Sequence, residues 1–318
     1  MPEPSPTTPS PSPERTATPS PVRYRFEEYA VPAGTHPHDV APAPGGRVWY
    51  TAQHTGGLGL LNPRTGAVRR IPLGEGSSPH GVIVGPDGAA WATDGGLNAI
   101  VRVDPRTFAV TRYDLPRPAY ANLNTAAFDG NGLLWFTGQA GVYGSVDPAT
   151  GRVRVFDAPR GAGPYGIDQT PAGRVWFASL AGGYIARIGD AGRLRVVDVP
   201  TPGGGARRVW SDSRGRLWVT EWYAGTLARY DPRTRRWREW RVPGAAPQPY
   251  AVFVDEDDLV WVSDFGSNAL FRFDPATERF RRFRFPTSGA EVRQLLGRPG
   301  EIWGAESGAD KIVVLRAR

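Results

Sequence analysis

Residues 79–105 read PHGVIVGPDGAAWATDGGLNAIVRVDP, and this stretch decides the fold. Its marker is Trp91, which follows a Gly-rich turn and stands two places before a hydroxyl residue. The same marker returns as Trp49, Trp91, Trp135, Trp176, Trp218, Trp261 and Trp303, at successive intervals of 42, 44, 41, 42, 43 and 42 residues. A period near forty made of short strands and turns is the signature of a β-propeller. Seven copies predict an all-β chain: a seven-bladed β-propeller of four-stranded antiparallel blades.

Within the unit, HGVIV at 80–84 reads as a β-branched first strand near the axis, and the GPDG turn leads into the Trp-bearing second strand. AIVRV at 99–103 is the third. Turns with Asn or Asp before Pro then reverse the chain into a fourth strand: NPRTG at 62, DPRTF at 104, DPATG at 147, DPRTR at 231 and DPATE at 274. Blade 4 departs from the pattern, with GDAG at 189–192. The repeated ring is read as core filling the wedge between neighbouring sheets.

The segment YRFEEYA at 24–30 resembles the outer strands VRRIPL, VTRYDLP, VRVFDAP, LRVVDVP, WREWRVP and FRRFRFP. The last strand, KIVVLRAR, has no such partner after it. The N-terminal strand is therefore expected to join the last blade, which closes the ring and removes an open edge. This divides the chain into a disordered Pro/Ser/Thr-rich tail at 1–22 and a propeller at 23–318. Such a tail often tethers a folded domain to an export signal or lipid anchor, which favours an extracytoplasmic location over a cytoplasmic one.

Cysteine is absent, which excludes disulfides, thiolate metal sites and cysteine nucleophiles. The net charge of +7 comes from arginine, Lys311 being the sole lysine. The arginines of the outer strands alternate along them, as in Arg281, Arg282 and Arg284, and charge there blocks edge-to-edge pairing. No nucleic-acid partner is expected, and no apolar run reaches the roughly 18 residues a membrane span needs.

Antiparallel strands bring the start of strand one and the end of strand two to the same face. Eleven residues before each Trp stand His38, His80, Asn124, Tyr165, Arg207, Tyr250 and Val292. Three residues after it stand Ala52, Asp94, Gly138, Ser179, Glu221, Asp264 and Glu306. A position kept for folding repeats one residue type, and these positions vary. His36 and His54 map to the same mouth. Asp264, Glu306, His38, His80 and Asp94 lie on consecutive blades and form the candidate site. Carboxylates there suit a hard cation, Mg²⁺ or alternatively Ca²⁺, and His38 or His80 suits a general base. The competing reading is a wet, merely solvated mouth. The run Asp255 to Asp258 is read as a solvated turn on the opposite face. No GxSxG elbow or HExxH helix occurs, and GGG at 203–205 does not lead from a strand into a helix, so chemistry must use the mouth.

The repeat text PHGVIVGPDGAAWATDGGLNAIVRVDP, with PYGIDQTPAGRVWFAS and RLWVTEWYAGTLARYDP, resembles the virginiamycin B lyase (streptogramin lyase) family, from Tyr24 to the C-terminus. The resemblance implies a monomer that linearises cyclic depsipeptide antibiotics by Mg²⁺-assisted elimination at the ester, without water as a reactant. On that reading Glu306 and Asp264 hold the metal, and His38 or His80 is the base. Tyr165, Arg207, Trp222, Tyr223 and Tyr250 contact the substrate, with Trp222 and Tyr223 as a platform. The family pattern has Glu-x-His and a later Glu in the last blade; here those positions are Ala290, Val292 and Glu306. It also has His in blade 6 and Tyr in blade 1, where this chain carries Tyr250 and His38. A non-catalytic exported propeller binding a peptide or glycan, and a metal-dependent lactonase, are the alternatives.

Overall fold

In the computed structural model, residues 23–317 are described; the tail expected at 1–22 lies outside them. Seven four-stranded antiparallel sheets follow one another along the chain. Blade 2, which contains the opening stretch, comprises Pro79–Val84, Ala90–Asp94, Ala99–Val103 and Val110–Asp114. The other blades keep this order except the last, where Tyr24–Ala30 is the outermost strand beside Lys311–Ala317. Tyr24 pairs with Ala317 and Ala30 with Lys311, so the two chain ends close the ring as expected. Among the described residues no helix is long and apolar enough to cross a membrane.

Burial explains the repeated Trp. All seven are buried, and each sits in a core between two neighbouring sheets. Trp91, for example, packs with Ile100 of its own blade and Leu123, Ala126 and Phe136 of the next, while Trp303 packs with Val40, Val48 and Tyr50 and seals the seam between blades 7 and 1. Burying such a side chain stabilises by about 1.5–3 kcal/mol. The indole N–H of a buried Trp needs an acceptor. Asp87, Asp129, Asp212, Asp255 and Glu301 supply it to Trp91, Trp135, Trp218, Trp261 and Trp303 at 2.7–3.2 Å. Asp255 also accepts the backbone N–H of Leu259, so the acidic run there is a turn that holds a Trp.

One feature of every blade shapes the mouth. The pairing of strand one with strand two slips at its mouth end in all seven blades, between Pro37 and Val40 in blade 1 and between Ala206 and Arg208 in blade 5. Such a bulge adds one residue and re-aims side chains. The hydroxyl two places after the Trp fills the slip: Thr93 Oγ1 accepts the Gly81 N–H at 2.9 Å and donates to the Asn124 carbonyl of the next blade. Thr51, Thr220 and Ser263 do the same. The hydroxyl thus ties blade to blade while the bulge turns two successive residues toward the axis.

Candidate functional site

Six of the seven positions eleven before each Trp converge, while Val292 packs into the apolar core with Trp261 and Leu270. His38 and His80 lie with ring centroids 3.7 Å apart and planes tilted by 43°, and His80 meets Tyr165 edge-on at 6.1 Å. Asn124 Nδ2 donates to His80 Nε2 at 3.3 Å. Across the mouth the Tyr165 and Tyr250 hydroxyls hydrogen-bond to each other. His36 and His54 form a separate stacked pair, 4.1 Å between centroids.

The bulges bring two further residues to the axis that strict strand alternation hides. Asp39 follows His38 and accepts a hydrogen bond from His38 Nδ1 at 2.8 Å. Arg208 follows Arg207 and reaches from blade 5 to Asp39, Nη2 to Oδ1 at 3.2 Å, and to the Arg293 carbonyl of blade 7. Gly166 makes this approach possible, because a Cβ there would lie 2.6 Å from the Arg208 Cα. The line Arg208–Asp39–His38 therefore crosses the axis. With Nδ1 held by Asp39, His38 Nε2 carries the free lone pair, and no described residue bonds it. Burial pushes the His38 pKa well below 6.5, reinforced by Arg208 and Arg293. Burial does the same to His80, helped by His38 and opposed by Asp39. Both rings are neutral at pH 7. His80 uses Nε2 as an acceptor for Asn124, and its Nδ1 is buried without a partner.

Arg207 supplies the charge of the mouth. Its guanidinium lies 3.6 Å from the Tyr250 ring centroid and 4.6 Å from that of Trp222, and Nη2 donates to the Tyr165 hydroxyl at 3.0 Å. Burial raises the Tyr165 pKa, but the Arg207 and Arg208 charges more than offset this and leave it lowered. Trp222 and Phe265 wall the Tyr250 ring, and Tyr223 stands out at 68% exposed. Tyr165, Arg207, Trp222 and Tyr250 thus form one aromatic and cationic surface. Below the Asp39–Arg208 pair lies an axial cavity of about 390 Å³, walled by Ile83, Phe128, Ile167, Trp210 and Leu296.

The positions three after each Trp behave differently. Asp264 accepts the backbone N–H groups of Gln248 and Ser267 and the Ser267 hydroxyl. Asp94 is held the same way by Ser78, Leu97 and Ser77. These carboxylates brace the loops of their own blades. Glu221 accepts from Thr226 Oγ1. Glu306 is fully buried with neither oxygen hydrogen-bonded, and burial with the nearby Glu28 charge pushes its pKa up to about 8. Glu28 in turn is held by Lys311 Nζ and Thr287 Oγ1, each at 2.8 Å.

These groups do not fit the Mg²⁺ or Ca²⁺ expected between Glu306 and Asp264. Water can complete the shell of a hard cation, but a site between two carboxylates needs free oxygens on both. Asp264 is committed to its loop, and the one acidic neighbour that acts on Glu306, Glu28, already has the Lys311 ammonium. Among the described residues the one group of three potential ligands is His38, Asp39 and His80, with ligand atoms within 4.8 Å. It offers a single carboxylate, and Arg208 occupies it.

Comparison with known proteins agrees with this architecture. The family model described as the virginiamycin B lyase family matches residues 20–263. A solved streptogramin B lyase superposes with a TM-score of 0.86 at 22% identity, covering 93% of this chain and 98% of its own. Virginiamycin B lyase from Staphylococcus aureus gives 0.86 at 21% identity, covering 92% and 99%. A catalytically inactive histidine-to-alanine variant of that enzyme, solved with quinupristin, gives the same values. No curated protein sequence matches the chain.

Proposed function

Because the chain belongs to the virginiamycin B lyase family, we propose that it is a carbon–oxygen lyase that opens the ester of a cyclic depsipeptide by β-elimination, with His38 as the base. The carrying observation is the axial dyad: His38 Nδ1 on Asp39 at 2.8 Å, with Nε2 free and Arg207 in the same mouth. The chemistry needs a neutral base. His38 is neutral at pH 7 because burial and the flanking arginines disfavour its charged form.

In the reaction, Nε2 takes the proton from the carbon alpha to the substrate's amide carbonyl. The C–H electron pair becomes a C=C bond, the bond between the β-carbon and the ester oxygen breaks, and the carboxylate leaves with that pair. No water enters, and Asp39 stabilises the imidazolium that forms. Negative charge builds on the carbonyl oxygen at the transition state. We assign the stabilisation of that charge to the Arg207 guanidinium, which is held over the Tyr250 ring. No step is assigned to a divalent cation.

Quinupristin incubated with the protein tests the reading by chromatographic separation of ring-opened from intact material, with the mass of each peak. Elimination gives a ring-opened product isobaric with the substrate, whereas a lactonase product gains one water. His38→Ala is expected to lose about 10²–10⁴-fold in rate and His80→Ala much less. Absence of any isobaric product at high protein concentration overturns the reading. The second reading, a binding propeller, is favoured by one observation: His38 is only 1% exposed. It predicts that quinupristin binds in calorimetry and is recovered intact.

A further inference from the structure

Blade 4 breaks the repeat at two acidic positions, and the break leaves an uncompensated basic groove. In blade 2, Arg102 on strand three is neutralised from two turns, by Asp87 at 2.7 Å and Asp104 at 3.8 Å. Arg187 takes the same place opposite Trp176 that Arg102 takes opposite Trp91. Its two turns, however, carry Ala172 and Gly189 where blade 2 has Asp87 and Asp104, and Thr170 where blades 3, 5 and 6 have Asp129, Asp212 and Asp255. Trp176 loses an acceptor too: five of the repeated indoles donate to a nearby acid, and Thr170 replaces that acid here.

The groove beside Arg187 is shared with blade 5 and has a volume of about 500 Å³. Arg174, Arg187, Arg195, Arg214 and Arg233 line it, with Thr170 and Ser213 and with no Asp or Glu. None of the five guanidinium groups has an ion pair among the described residues. Elsewhere the fold spends carboxylates on such arginines, as at Arg216 with Asp212 at 2.6 Å. Guanidinium forks match phosphate oxygens in pairs, and clustered positive charge raises the local concentration of multivalent anions.

We propose that the groove between blades 4 and 5 binds a small ligand bearing a diphosphate, whose oxygens take the place of the absent turn carboxylates at Arg187 and Trp176. The site is separate from the mouth and independent of the reaction carried there. Its occupant is a multivalent phosphate, because one carboxylate leaves most of five guanidinium charges unbalanced.

Calorimetric titration of the full chain with inorganic pyrophosphate tests this. Binding is expected, weakening as salt rises, and at least about tenfold weaker for orthophosphate. Thr170→Asp restores the acid that the repeat carries elsewhere, with the same backbone N–H at hand as in Asp212 with Arg216, so the variant is expected to fold. It is expected to weaken pyrophosphate binding about tenfold or more, as is Arg187→Gln. Unchanged affinity in both variants, or no binding by the wild type, overturns the proposal. Binding to phosphatidylglycerol vesicles without any to pyrophosphate also overturns it, since that marks a diffuse basic surface.

Discussion

Asp39 of blade 1 and Arg208 of blade 5 meet across the propeller axis, Oδ1 to Nη2 at 3.2 Å, with side chains 2% and 7% exposed. The pair joins sheets far apart in sequence and forms the floor of the mouth. It also sets the electrostatics of His38, since Asp39 holds its Nδ1 while Arg208 disfavours its protonation.

A buried pair is costly to break from one side, because the remaining charge stays desolvated. Arg208→Met is therefore expected to destabilise the protein by about 3–5 kcal/mol. The double variant Asp39→Asn/Arg208→Met is expected to recover much of that loss. Urea unfolding of the single and double variants checks the cycle, and a double variant no better than Arg208→Met excludes an uncompensated Asp39 as the cause.

The same pair fixes a pH dependence. The base must be neutral, and its folded pKa lies well below 6.5, so the acid limb of the rate profile is expected well below pH 6.5. Asp39→Asn removes a charge that favours the imidazolium, so its limb moves lower still. The turnover profile against pH reads this directly; an acid limb at 6.5 or above shows that His38 is not the base.

Glu306 contributes in the opposite sense. Its folded pKa is about 8, above the ordinary value of 4.5, through burial and then Glu28. Between those values the folded state binds more protons than the unfolded chain, so this group's contribution to stability falls as pH rises from 4.5 to 8. The depressed histidines act oppositely, but only below pH 6.5, where the unfolded chain binds more protons. From pH 6.5 to 8 the carboxyl effect is left unopposed by them. Glu306→Gln is expected to be more stable than wild type at pH 8 and to flatten the slope of stability between pH 6.5 and 8. Denaturant midpoints at pH 6, 7 and 8 measure it, and parallel slopes exclude the assignment.

The propeller was legible because its cause repeats: one indole fills one wedge in each blade, and a strand without a partner at one chain end matches the vacancy at the other. The ring from His38 to Tyr250 was legible because it varies where folding demands uniformity. Asp39 and Arg208 were not, since alternation along a regular strand turns them away and only the bulge returns them to the axis. Asp264 and Asp94 misled for a related reason. Strand position puts them at the mouth, but backbone N–H groups of the adjoining loops capture their carboxylates, and no spacing rule reveals which way such a side chain turns.

Arg207 carries the last prediction. Its guanidinium is fixed by Tyr250 on one side, Trp222 on another and the Tyr165 hydroxyl at 3.0 Å. It therefore needs little reorganisation when charge develops on the substrate, which is where preorganised donors act most strongly. With Asp264 committed to its own loop, the proposed reaction takes its stabilising charge from Arg207. Quinupristin opening is accordingly expected to persist after exhaustive chelation and to be unaffected by added Mg²⁺. Arg207→Ala is expected to lower kcat by about 10²–10³-fold with a smaller change in KM, and Arg207→Lys to restore part of the loss. Activity abolished by chelator and restored by Mg²⁺ assigns the charge to a metal instead and removes Arg207 from the reaction.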